Sequence, residues 1–99
     1  MKTTYAIITL GCCLALLSQP AFADSDGEMI FQEKCTVCHA LDSKKMGPSL
    51  KDMNKDLSFL KMAITDGIDN ASPFPMPAFG DTLKPAQVDA LVTYISSQQ

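Results

Sequence analysis

The clearest pattern lies near the end of the chain, where Val88, Leu91, Val92 and Ile95 recur at i, i+3, i+4 and i+7 and so share one face of a helix. Pro85 suits the first position of that helix, because a missing N–H costs nothing there. Lys84 then falls at the N-cap, an odd choice since its side chain offers no acceptor. A shorter amphipathic helix is marked by Leu57, Leu60, Ala63 and Ile64. Asp66-Gly67 closes it, glycine being suited to the left-handed position past a helix end. Upstream, Met29, Ile30, Phe31, Cys35 and Val37 fall loosely at helical spacing. They predict a first helix that ends at the cysteines, with Ser25 or Asp26 as N-cap and Glu28 early in its first turn.

Between these segments the pattern fails in two places. Residues 40–54 contain Gly47-Pro48 and scattered lysines without a sustained period, and read as loop. Residues 69–80 carry prolines at 73, 75 and 77, which forbid both helix and central strand. No stretch alternates with period two for long, so the expected fold class is all-α.

Residues 1–23 have a different character. Lys2 precedes an almost wholly apolar run from Ala6 to Leu17, and Ala21-Phe22-Ala23 is an A-x-A cleavage site. The expectation is a signal peptide cleaved after Ala23, leaving one domain over residues 24–99. A membrane anchor would need roughly 20 apolar residues, more than this run supplies. A lipid attached at Cys12 or Cys13 would need a better lipoprotein signature than Thr9-Leu10-Gly11.

Loss of that leader takes Cys12 and Cys13 with it, so the apparent two-disulfide framework shrinks to Cys35 and Cys38. Seven lysines against eleven acidic residues leave residues 24–99 with a formal charge of −4. Nucleic acid is therefore no expected partner. A domain of this size has few apolar residues to offset chain entropy and usually needs a disulfide, a metal or a cofactor at its centre.

Cys35-Thr36-Val37-Cys38-His39 supplies a candidate for that centre. A thioredoxin-type redox pair would need a βαβ context, which is missing. A zinc site needs four ligands, but His39 is the only histidine of the chain and two cysteines remain. A disulfide between Cys35 and Cys38 would close too small a loop to stabilise much. Covalent haem attachment uses all three residues: two thioether bonds fix the porphyrin edge to a helix end, and the adjacent His39 becomes the proximal iron ligand. Such attachment takes place outside the bacterial cytoplasm, where the leader would send the chain.

Further residues extend the motif: Gly27-x-x-x-Phe31 before it, then Gly47-Pro48-x-Leu50, Met76-Pro77-Ala78-Phe79 and Leu91-x-x-Tyr94 after it. In this order and at these distances the sequence resembles the small class I single-haem cytochromes c of the bacterial and algal electron-carrier type, over essentially all of residues 27–99. The resemblance implies a small all-α fold with crossing N- and C-terminal helices and one haem in the core. It implies that Gly27 and Leu91 let those helices approach, with Phe31 and Tyr94 packed at the crossing. It also implies that the Pro48 carbonyl accepts the Nδ1 proton of His39, an outer contact that orients the ring.

With a single histidine, the distal ligand is Met, Lys, water or nothing. Met29 and Met62 fit the role of core filler on a helical stripe, Met53 fits filler in a loop or short helix, and Met46 follows His39 too closely to reach the opposite face. Met76 stands between Pro75 and Pro77, whose fixed φ angles hold a side chain outward at little entropy cost. The resemblance likewise places its distal methionine before Pro-Ala-Phe. A Met ligand raises the reduction potential, and filled axial positions argue against catalysis.

Ile30, Leu41, Leu50, Leu57, Leu60, Ile64, Phe74, Phe79 and Val92 are candidates for the haem pocket. With no Arg or Trp in the chain, Lys44, Lys45, Lys51, Lys55, Lys61 and Asn54 are candidates for the haem propionates. The expected function is that of a periplasmic electron carrier between redox proteins in membrane complexes, with no small-molecule substrate. Two other readings are a haem-based ligand sensor and a haem subunit fixed to a larger redox complex. Net charge favours partners with positive surface, unless Lys44, Lys45 and Lys51 make the docking face locally positive.

Overall fold

The computed structural model describes residues 24–71 and 73–99, so the expected export signal at residues 1–23 lies outside the described residues. Within them the chain forms α1 (Asp24–Lys34), α2 (Leu57–Asp66) and α3 (Pro85–Ser97), with a 3₁₀ turn at Leu50–Asp52. The β pairing among the described residues is an isolated antiparallel bridge between Ile68 and Met76. The fold is all-α, as the apolar spacing predicts.

α3 organises the core. Val88, Leu91, Val92 and Ile95 are all buried, joined by Ala90 and Tyr94. Its start resolves the Lys84 difficulty, because Gln87 at the third helical position accepts the Lys84 backbone N–H on its side-chain oxygen at 2.8 Å. The reciprocal half of a capping box thus replaces the missing cap side chain.

α1 crosses α3 at Gly27, where an added Cβ would run into the Ala90 carbonyl oxygen and the Tyr94 Cβ. Phe31 and Tyr94 pack at this crossing with ring centroids 5.7 Å apart and planes inclined by 49°. Burial, reinforced by the Glu28 charge, raises the Tyr94 hydroxyl above its ordinary pKa. Two features of α1 depart from expectation. The helix already includes Asp24, the first described residue, so Ser25 and Asp26 lie within it and not at its cap. Its buried face is narrow: Ile30 and Phe31 are inside, whereas Met29 is 58% exposed.

α2 starts where the Asp56 carboxylate accepts the Ser58 and Phe59 amides at 2.8 and 3.2 Å. Leu60, Ala63 and Ile64 form its buried face, and α2 packs on α3. Met62 is 42% exposed and is not core filler. It lies two residues from both Leu60 and Ile64, about 200° around the helix. Gly67 has the positive φ expected past a helix end, 74°, but its ψ of −178° sends the chain away extended and not into the left-handed helical basin.

The loop after α1 is tied back on itself: the Gly47 amide donates to the Cys38 carbonyl at 2.8 Å and the Leu50 amide to the Ala40 carbonyl at 2.9 Å. Buried Ser49 donates its hydroxyl to Asp52 at 2.9 Å. The terminal Gln99 side-chain amide reaches the carbonyls of Leu50, Met53 and Asn54 at 3.4, 3.2 and 3.4 Å, and so fastens the 3₁₀ turn to the end of α3.

Candidate cofactor site

Cys35 extends α1 by one bond, its amide donating to the Phe31 carbonyl at 2.9 Å. The Cys38 and His39 amides then both donate to the Cys35 carbonyl, at 3.1 and 2.9 Å. This single turn gathers both sulfurs and the imidazole at the end of α1. Both cysteines are free thiols and half-buried. Burial pushes the Cys35 thiol up to about 11, with the Lys34 ammonium opposing the rise and Cys38 adding to it. Cys35 is therefore a neutral thiol at pH 7.

The His39 Nδ1 lies 2.8 Å from the Pro48 carbonyl. A carbonyl can only accept, so Nδ1 carries a proton, which in the neutral ring leaves the Nε2 lone pair free for a ligand bond. Gly47 lies against the same ring, and a Cβ there would overlap the imidazole. Gly47-Pro48 is thus a brace for His39 and more than a turn.

Cys35, Cys38, His39, Pro48 and Met76 all line one cavity of about 390 Å³. That falls within the roughly 300–1,000 Å³ of cofactor and small-molecule sites. All three helices contribute apolar wall: Phe31 from α1, Leu60, Ala63 and Ile64 from α2, Leu91 and Ile95 from α3. Phe59 and Phe74 add aromatic rings, and Phe74 is 54% exposed. An exposed ring at the edge of an apolar cavity is surface that a flat apolar ligand would cover.

Of the pocket candidates, Leu60, Ile64, Phe74 and Phe79 line this cavity. Ile30, Leu41, Leu50, Leu57 and Val92 do not: Ile30 and Leu50 belong to the core, Leu41 is exposed, and Leu57 and Val92 border a separate groove. Sequence reasoning missed Phe59 as a wall residue and took Phe31, Leu91 and Ile95 only as helix packing. For Leu91 and Ile95 the signal was their i, i+4 spacing, which cannot say whether a partner helix or a ligand covers them.

Met46, Met53 and Met76 reach the cavity, and Met29 and Met62 are not among its lining residues. Met46 remains beside the cysteine motif, its Sδ 3.8 Å from the Cys38 sulfur. Met76 arrives from another element, with its amide donating to the Ile68 carbonyl at 3.0 Å and its carbonyl accepting the Ile68 amide at 2.9 Å.

The lysines also divide. Lys51 pairs with Asp42 at 2.5 Å, a hydrogen bond that with the Asp42 charge raises its pKa. Lys61 pairs with Asp89 at 3.1 Å, and Lys45 donates to the Thr36 carbonyl at 2.6 Å. Lys44 and Asn54 line the cavity, as does Lys34, which sequence reasoning passed over. Among the described lining residues Lys34 and Lys44 are accompanied by no Asp or Glu, on a chain that is acidic in total.

The family described as cytochrome C oxidase, cbb3-type, subunit III matches residues 22–95. Cytochrome c-551 of Pseudomonas aeruginosa is 32% identical, over 96% of this chain and 97% of the relative. This chain belongs to the cytochrome c family. Cytochrome c6 of Porphyra purpurea is 32% identical over 99% of the chain and 96% of its own length. The crystal structure of wild-type Nitrosomonas europaea cytochrome c552 shares the fold, with a TM-score of 0.58 at 24% identity over 73% of this chain and 98% of that one. As a c-type cytochrome the chain takes one covalent haem c. Two free thiols, an imidazole with one nitrogen uncommitted and an apolar cavity suit that group.

Proposed function

We propose that this protein is a periplasmic one-electron carrier in which Cys35 and Cys38 hold the haem by thioether bonds and His39 and Met76 are its axial ligands. The observation that carries the reading is the single cavity walled by both thiols, the braced imidazole and the Met76 thioether together. When bound, the haem supplies an iron whose two oxidation states differ by one electron. Pro48 fixes the tautomer of His39 and raises its basicity as a ligand. Met76 offers a soft thioether that favours the reduced state and so raises the reduction potential. Leu60, Ile64, Phe59 and Phe74 supply apolar wall that would pack against the bound haem. If His39 and Met76 both hold the iron, no open place for a substrate would remain, which favours a carrier over an enzyme or a ligand sensor.

Residues 1–23 serve as the export leader in this reading, cleaved after Ala23. Among the described residues no helix is long and apolar enough to cross a membrane. The partners are redox proteins, donor and acceptor, with no nucleic acid and no small-molecule substrate. The description of the matching family favours one other reading, a haem subunit fixed to a larger complex. The long relatives named as cytochromes c-551 and c6, matched almost end to end, favour the free carrier.

The axial assignment is tested by Met76→Ala in haem-loaded protein. The variant should lose the weak near-infrared sulfur-to-iron band of the ferric form, show a lower reduction potential and bind carbon monoxide when reduced. Retention of the band in Met76→Ala, with its loss in Met53→Ala, would move the ligand to Met53.

A further inference from the structure

We propose that Gly67 is a positioning residue for the Met76 thioether, and that the C-terminal turn of α2 is the template on which the ligand loop is set. The inference rests on Met76 as the distal ligand.

A helix ends with carbonyls that have no partner within it. At the end of α2 they are taken up by the Met76 segment. The Ile64 carbonyl accepts the Phe79 amide at 2.9 Å and the Thr65 carbonyl accepts the Gly80 amide at 3.0 Å. One residue past Gly67, Ile68 pairs with Met76 through both backbone groups, at 2.9 and 3.0 Å. Met76 to Gly80 is therefore laced along the last turn of α2 by four hydrogen bonds. Upstream, no backbone hydrogen bond fastens residues 69–71 and 73–75 among the described residues. Their prolines stiffen the path without fixing where it lies.

Gly67 is where this lacing turns. Its amide stays with α2, donating to the Ala63 carbonyl at 2.9 Å, while φ 74° and ψ −178° swing Ile68 toward Met76. That combination belongs to glycine alone, since a Cβ makes it strained. Space gives the same answer independently. A Cβ on Gly67 would lie 2.5 Å from the Met76 carbonyl oxygen, 2.9 Å from the Ala78 amide nitrogen and 3.0 Å from the Pro77 carbonyl carbon. All three are backbone atoms, which cannot rotate aside as a side chain does. Any side chain at 67 therefore pushes on Met76-Pro77-Ala78 itself, and the Met76 sulfur moves with its backbone.

The test uses haem-loaded protein and compares Gly67→Ala with Val88→Ala. Val88 is buried in the core and absent from the cavity lining, so its loss of stability comes from packing alone. Gly67→Ala should weaken the near-infrared sulfur-to-iron band, lower the reduction potential and bind added imidazole about tenfold more tightly, given the strain a Cβ meets at such a backbone position. Val88→Ala should melt earlier yet keep the parent band, potential and imidazole affinity. If Gly67→Ala fails to accumulate, Gly67→Asn takes its place, because asparagine visits positive φ more readily than alanine yet brings the same Cβ against the Met76 backbone, and the same shifts should appear. Unchanged band and imidazole affinity at position 67, or equal shifts in Val88→Ala, would overturn the proposal. Met76→Ala separates the two possible failures. If that variant loses the band while Gly67→Ala keeps it, only the role of Gly67 is wrong; if it keeps the band, the ligand reading falls and the role of Gly67 with it.

Discussion

Met62 and Met76 show what a side chain's neighbours decide that its identity does not. Both are methionines close to apolar residues in sequence. Met76 lines the cavity and is anchored through its backbone to Ile68, whereas Met62 points away from the Leu60-Ala63-Ile64 face of α2. Met62→Ala should therefore cost less than about 1 kcal/mol, well short of the roughly 2–5 kcal/mol of a buried methionine. Urea midpoints of the haem-loaded protein would check this, and a loss of several kcal/mol would contradict the exposure seen here. That Cys35, Cys38 and His39 come together in one turn at the end of α1 was legible from their spacing, and the contact of Pro48 with the His39 ring was legible through the family resemblance. Met62 was misread because proximity to an apolar stripe was taken for membership of it; two residues of helix, about 200°, separate those cases. Phe59 escaped notice for the converse reason, since a residue facing a cavity at the edge of a helix breaks no pattern.

At the scale of elements, the three helices could be read from apolar spacing, and α3 begins at Pro85 as expected. The loop of prolines could be read only by exclusion. Proline removes donors and fixes φ, which says what residues 69–80 cannot form, while Met76 is placed by Ile68, eight residues away, and its segment by the Ile64 and Thr65 carbonyls, which hold Phe79 and Gly80 from fifteen residues away. No local pattern encodes that pairing. The α1–α3 crossing lends itself to a direct test at Gly27. Alanine has the better helix propensity, by about 1 kcal/mol over glycine. Overpacking at a tight contact costs typically about 1–3 kcal/mol, and the obstruction here includes the Ala90 backbone carbonyl, which cannot move independently of α3. Gly27→Ala should thus be destabilised in chemical denaturation despite its gain in propensity. A more stable variant would show that the helices have slack at this point.

For the molecule as a whole, the central cavity explains how so short a chain holds together. Its walls come from all three helices and both loops, so the core is completed by what fills it. Removing the haem should leave a largely unfolded chain, because apolar burial contributes roughly 25 cal/mol per Å² and the cofactor provides much of it. Charge has to be treated locally as well. The formal −4 of residues 24–99 points to basic partners, but the cavity mouth has Lys34 and Lys44 and no acidic side chain among its described lining residues. A partner docking over this mouth would be favoured by acidic surface of its own, with steering acting over a Debye length of roughly 8 Å at physiological salt. Electron transfer with an acidic partner should slow as salt is raised, and Lys44→Glu should slow it further at low salt; a rate that stays level or climbs would return the docking face to the basic-partner expectation. The central claim, that Cys35 and Cys38 together hold one haem, is tested most directly by mass spectrometry of a tryptic digest of protein exported with a cytochrome maturation system. Cleavage after Lys34 and Lys44 releases Cys35 to Lys44 as one peptide. It should carry one haem bound through both sulfurs, and the same peptide recovered free of haem, or as a simple disulfide, would contradict the account.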